Sequence, residues 1–257
     1  MNTDLRCCRV VVSCFIDGRD NRNNSPPNAR SVATFLDRVI RAENENDSDI
    51  PYDLIIINHD VGFSEGNEYI NRINNTETKN GKIHAINVPN KGLSFDGYNT
   101  AFENFRENYD YWIFSEDDHL IFAKNYYKIL LDEFLSLKQK KIGFLCLAPI
   151  STTHPVIHSG GGFGLTTTEV LGYLYSLRNS LPCLQVGLDR IGSEIYFTHD
   201  ITRLGFKLIE NKSFHLHPVN YERCKDHLIH FNRTQNGHVN NNKQFLYQVG
   251  ITDEEEW

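Results

Sequence analysis

Tyr111-Trp112-Ile113-Phe114-Ser115-Glu116-Asp117-Asp118 is a short apolar run that ends in an acidic triplet. Trp112 and Phe114 read as core residues of a buried strand, not as platforms for a sugar. Three consecutive carboxylates at the end of such a strand repel one another and must be desolvated together. A divalent cation is the usual relief, and hard oxygen ligands suit Mg2+ or Mn2+. The plain alternative is a solvated acidic turn before the next helix. A magnesium-type ion held by one or two carboxylates completes its shell with phosphate oxygens, which points to a nucleoside diphosphate or triphosphate.

The residues before this run alternate strand and helix patterns. Arg9 to Ile16 is β-branched and almost unbroken, as a strand buried on both faces reads. Val32, Phe35, Leu36, Val39 and Ile40 then recur at helical spacing. A second strand, Tyr52 to Asn58, runs into His59-Asp60, and a short helix spans Glu65 to Ile73. A third strand, Lys82 to Val88, is followed by a helix over Tyr98 to Asn108, with Ala101, Phe102 and Phe105 on one face. With the run at 111–114 the order is β-α-β-α-β-α-β, which predicts an α/β fold built on a parallel, doubly wound sheet.

The later part is less regular. A helix is expected over Tyr126 to Leu137 and a strand over Ile142 to Leu147. Helices follow at Thr168 to Leu177 and Glu194 to Leu204, with a strand at Phe206 to Ile209. The glycine run His158 to Gly164 reads best as a turn that lets a substrate approach the backbone. No repeat or linker divides the chain. It is expected to form one domain over 1–257, with a nucleotide-binding half at about 9–120 and an acceptor-binding half and tail at about 121–257.

Composition removes several classes of function. The 257 residues carry 26 Lys+Arg against 33 Asp+Glu, a net charge of −7. A nucleic-acid binder would want a basic stripe instead. No apolar run approaches the about 18 residues needed to span a bilayer. The N-terminus has neither the basic nor the apolar region of a secretory signal. The six cysteines form no CxxC pair and read as reduced thiols. A cytoplasmic protein is the expectation.

In open α/β sheets ligands bind beyond the carboxyl ends of the strands. Three predicted strands end in polar residues there, at Asp17, at Asn58-His59-Asp60 and at the acidic triplet. The chain has no P-loop signature, and no GxGxxG lies between its first strand and first helix. On an extended segment alternate residues share a face, so His215 and His217 could reach one site. On a surface strand they would be an ordinary exposed pair.

These residues carry a resemblance. The strand ending in Asp60, the Asn90-Lys91-Gly92 loop with Asn99 beyond it, and Tyr109 to Asp118 together resemble a GT-A-fold glycosyltransferase. The early part is similar to glycosyltransferase family two, and the Glu-Asp-Asp form of its DxD motif resembles N-acetylglucosaminyltransferase I. The resemblance runs from about residue 9 to about 210. It implies a Rossmann-like, nucleotide-sugar-binding sheet and a Mn2+- or Mg2+-dependent enzyme. Asp118 would bind the metal, with His217 as a further ligand. Glu116, Asp117, Asp60, Lys91, Asn99, Phe15 and Asp17 would bind the donor nucleotide of a UDP- or GDP-sugar. His59 departs from the pattern, where a second carboxylate is usual.

The segment Gly192-Ser193-Glu194 to Gly205-Phe206-Lys207 resembles the region that carries the family's general base. Glu194 is the first candidate and Asp189 the runner-up. Without that role, Glu194 would be a helix N-terminal carboxylate favoured by the dipole, with Ser193 as the cap. Gly161, Gly162 and Phe163 would line the acceptor. The expected reaction is transfer of a sugar to the hydroxyl of a glycan or other acceptor, with inversion. The alternatives are a sugar nucleotidyltransferase and a non-catalytic nucleotide- or glycan-binding domain. Against the former, the loop after the first strand holds Arg19, Arg22 and a single glycine.

Overall fold

Strand β1 (Cys7–Ser13) is buried along its whole length, and the rest of the fold is arranged around it. The computed structural model describes residues 5–13, 29–60, 64–89, 91–117, 119–121, 123–147, 150, 162–183, 190–213, 215–218 and 245–248. Helix α1 (Ala29–Glu45) leads to β2 (Asp53–Asp60), α2 (Ser64–Ile73) and β3 (Ile83–Pro89). Next come α3 (Leu93–Phe105) and β4 (Tyr111–Glu116), then the short β5 (His119–Ile121) and α4 (Tyr126–Ser136). The chain continues through β6 (Ile142–Cys146), β7 (Gly164–Thr167), α5 (Thr168–Arg178), α6 (Arg190–Arg203), β8 (Lys207–Glu210), β9 (His215–Pro218) and β10 (Phe245–Gln248).

The main sheet has the order β3-β2-β1-β4-β7-β6-β8. Its β3-β2-β1-β4 part is parallel throughout, as the alternating sequence pattern predicts. Strands from both halves of the chain therefore share one sheet. Val10, Val12, Ile55 and Ile57 pack on one face against Tyr98, Ala101 and Phe102 of α3, beside Leu171 of α5 and Phe197 and Ile201 of α6. On the other face Val11 and Ile56 meet Leu36 and Val39 of α1 and Ile70 of α2, while Ile113 and Leu165 meet α4. Both faces are covered by helices, so the strands read as unbroken apolar runs.

Three local expectations are corrected. The end of the glycine run is a strand rather than a turn: β7 inserts antiparallel between β4 and β6. Gly164 makes this possible, because a Cβ there would lie 2.4 Å from the Leu145 carbonyl oxygen. Helix α3 starts at Leu93 rather than Tyr98, since Phe95 joins Tyr98 and Phe102 on one buried face. Helix α6 starts at Arg190, a turn before the expected Glu194.

A small sheet of order β5-β10-β9 stands directly after the acidic triplet. Phe245 of β10 pairs with His119, and Leu246 pairs with both Leu120 and His217. The tail therefore returns to the end of β4. Among the described residues, no helix is long and apolar enough to cross a membrane.

Candidate functional site

The carboxyl ends of β1, β2 and β4 lie side by side. Val12 is in register with Glu116, and Ser13 with Asn58. Just past β4, the Asp117 amide donates to the Val12 carbonyl at 3.1 Å. Ser13 Oγ donates to Asp117 Oδ2 at 2.7 Å, and both residues are fully buried. Glu116 turns the other way and accepts the hydroxyl of Ser94, in the first turn of α3. Two carboxylates of the triplet thus diverge, each toward a serine hydroxyl. Asp118, between Asp117 and β5, lies outside the described residues.

His119 closes the turn. Its Nδ1 accepts the Glu116 amide at 2.9 Å, which places the ring proton on Nε2. Burial, and then the charge of Arg9, push its pKa down to about 3, so the ring is neutral at ordinary pH. Arg9 itself is fully buried beneath the turn. Its Nε donates to Ser115 Oγ at 3.0 Å and its Nη2 to the His119 carbonyl at 2.5 Å. Its Nη1 pairs with Glu43, which also accepts the hydroxyls of Tyr52 and Tyr126. A charge inside a strand is costly unless paired and hydrogen-bonded, and here three donors converge on one carboxylate. Sequence reading passed over Arg9, Ser13, Glu43, Ser94 and His119. The available signals were an arginine inside an apolar strand and a histidine directly after the triplet.

Helix α3 also holds the chain at 181–183. Asn99 Oδ1 accepts the Leu181 amide at 2.7 Å, and Cys183 Sγ lies 3.9 Å from Asp96 Oδ1. Asn99 was expected at the nucleotide, but its carbonyl oxygen is taken by this structural bond. Lys91 is exposed at the entry to α3, with its amide on Asp96 Oδ2 at 3.2 Å. Asp60 ends β2 opposite Pro89 of β3, and His59 before it is fully buried. Phe15, Asp17, Gly161 and Asp189 lie outside the described residues, as do the side chains of Asp60, His215 and His217. The backbone of His217 is two strands from Leu120 across the small sheet, about 10 Å at the usual strand spacing.

Phe163 corrects another expectation. Its ring is fully buried and stacks on His119, with centroids 4.1 Å apart and planes 7° from parallel, so it faces the core instead of an acceptor. Gly162 has φ +66°, and a Cβ on it would meet Phe95 at 2.8 Å, so the backbone passes close to α3 there.

Glu194 is half-buried and lies within α6, not in its first turn, so neither the N-terminal placement nor the Ser193 cap holds. Phe197 of the same helix packs edge-on against Phe95 of α3, with centroids 5.5 Å apart. Glu194 and Phe197 are three residues apart and share that face of the helix.

Among the described residues, no group of three His, Cys, Asp or Glu side chains converges as a metal centre. Two of the triplet's carboxylates, Glu116 and Asp117, sit at the strand end and accept serine hydroxyls, and hard oxygens of this kind are the donors a divalent cation would take.

No protein-family model matches this chain, and no curated protein matches it. Solved structures similar to it include two nucleotidyl-transfer enzymes. One is a cytidylyltransferase from Leptospira borgpetersenii, with TM-score 0.43 and 13% identity, covering 80% of this chain and 74% of that one. The other is 4-diphosphocytidyl-2C-methyl-D-erythritol synthase from Anaerococcus prevotii, with TM-score 0.44 and 10% identity, covering 80% of this chain and 88% of that one.

Proposed function

We propose that this protein is a glycosyltransferase that moves a sugar from a nucleotide-diphospho-sugar to an acceptor hydroxyl. The observation that supports it is the acidic turn at the carboxyl end of β4, clasped between Ser13 of β1 and Ser94 of α3. That is where an open α/β sheet binds its ligand. Asp118 and His217 would hold Mn2+ or Mg2+. When bound, the ion stabilises negative charge on the departing nucleoside diphosphate. Asp60 would take the donor base, Lys91 a phosphate, and Phe15 and Asp17 the nucleoside. Glu194, or Asp189 in its place, would take the proton of the attacking hydroxyl, giving inversion. The protein would act in the cytoplasm on a glycan or another hydroxyl acceptor.

Nucleotidyl transfer is the second reading. The observation that favours it is Glu194, which sits inside α6 instead of in its first turn. A sugar phosphate attacks through an oxygen already ionised and needs no general base, so that chemistry tolerates the displacement.

Two incubations separate the readings. Nucleotide-sugars with Mn2+ should release nucleoside diphosphate if the protein is a glycosyltransferase. A nucleoside triphosphate with a sugar 1-phosphate should release pyrophosphate if it is a nucleotidyltransferase. Pyrophosphate release alone would overturn the first reading.

A further inference from the structure

We propose that His119 is a positioning residue for the acidic turn, and that it ties the turn to Gly162 and Phe163 directly before β7. This inference rests on the function proposed above.

Four contacts and two pairs of chain neighbours form a closed circuit. The Glu116 amide donates to His119 Nδ1 at 2.9 Å. The His119 ring stacks on Phe163. Phe163 follows Gly162, where a Cβ would lie 2.8 Å from the Phe95 ring. Phe95 follows Ser94, and Ser94 donates its hydroxyl back to Glu116. Beneath the circuit, Arg9 holds the His119 carbonyl, and Glu43 holds Arg9. Residue 117 is latched separately to β1 through the Val12 carbonyl and Ser13. Residues 116, 117 and 119 are therefore each held by groups distant in sequence, and they bracket position 118.

The side chain at 119 performs two tasks at once. It supplies an acceptor to the Glu116 amide, which would otherwise lack that partner, and a flat ring to the Phe163 face. Phenylalanine could do only the second and asparagine only the first. His119 holds the backbone on both sides of position 118, and groups that orient a metal ligand typically change metal affinity about 10- to 100-fold when replaced.

The test uses the whole chain and its thermal unfolding with UDP, GDP or CDP, each over a range of Mn2+ concentrations. His119→Asn keeps the acceptor, His119→Phe keeps the ring, and Phe163→Leu removes the stack without touching the turn. The expected result is a rise of about tenfold or more in half-saturating Mn2+ for both His119 variants, and a smaller rise for Phe163→Leu. Variants that lose unliganded stability but keep the parent's half-saturating Mn2+ would overturn the proposal, since a merely structural residue behaves that way. If neither His119 variant folds, Phe163→Leu carries the decision: unchanged Mn2+ dependence overturns the proposal and a clear rise supports it. A parent protein whose stability responds to none of the nucleotides with Mn2+ would overturn the functional reading, and the positioning role with it.

Discussion

Ser13 Oγ lies 2.7 Å from Asp117 Oδ2, so the last residue of β1 donates a hydrogen bond to the carboxylate that follows β4. The two residues are 104 positions apart, and both are buried. The bond joins the two central strands at the edge of the sheet where the ligand site is proposed. Ser13→Ala removes a donor from a buried carboxylate, and the expected cost is about 1–3 kcal/mol. Urea unfolding measures that loss, and Ser13→Thr should recover part of it by restoring the hydroxyl.

Arg9 and Glu43 form a fully buried ion pair. Removing one partner leaves the other charged without compensation, at a cost of about 3–5 kcal/mol. Arg9→Met and Glu43→Leu should each be severely destabilised. The double variant should be markedly more stable than the sum of the two losses predicts. A double-mutant cycle in urea checks this, and strict additivity would mean that the two side chains do not act as a pair.

Gly97 lies where α3 presses on β1, and a Cβ there would meet Val12 Cγ2 at 2.5 Å. Gly97→Ala should therefore destabilise by about 1–3 kcal/mol through overpacking, despite the better helix propensity of alanine. Gly172 of α5 meets nothing within 4 Å, so Gly172→Ala should stabilise by about 0.4–1 kcal/mol. Thermal unfolding of the two variants should move in opposite directions.

Stability should fall in acid partly through His119. The folded chain keeps this imidazole neutral down to about 3, whereas the ordinary value is 6.5. Between those values the unfolded chain binds a proton that the folded chain does not. The contribution is thus fully present above 6.5 and is lost as the pH falls toward 3. Urea midpoints at pH about 7 and about 5 should differ less in His119→Asn than in the parent. An equal difference would show that other groups carry the acid sensitivity.

The site residues carry their own expectations. Asp118→Ala should abolish the Mn2+-dependent stabilisation by nucleotide that the parent shows. Glu194→Gln should keep nucleotide binding and lose about 100-fold or more in transfer, the scale of a general base. Transfer at the parent rate in Glu194→Gln would shift the role to Asp189, which the same assay tests.

Much of the frame was legible because it rests on local chemistry. Val10-Val11-Val12 and Leu54 to Ile57 are runs whose every side chain is buried, as strands covered on both faces require. Trp112 and Phe114 are fully buried, as expected of the strand that carries the acidic triplet. Phe163 was assigned an outward role from the glycine run around it, but its ring is buried against His119. The contacts of Phe163 with His119 and of Asn99 with the Leu181 amide join residues far apart along the chain, and no periodicity records them. The short β7 escaped notice because its four residues follow glycines and hold no long apolar run.

The alternation of strand and helix and the placing of three carboxylates at a strand end follow from hydrophobic period and length, which are properties of neighbouring residues. The circuit around those carboxylates does not. Arg9 meets Glu43, Ser13 meets Asp117 and His119 meets Phe163 only after the strands have paired and the helices have closed over both faces. The need to compensate each buried polar group then selects the partners, and that selection acts on distances in space that the order of residues does not contain.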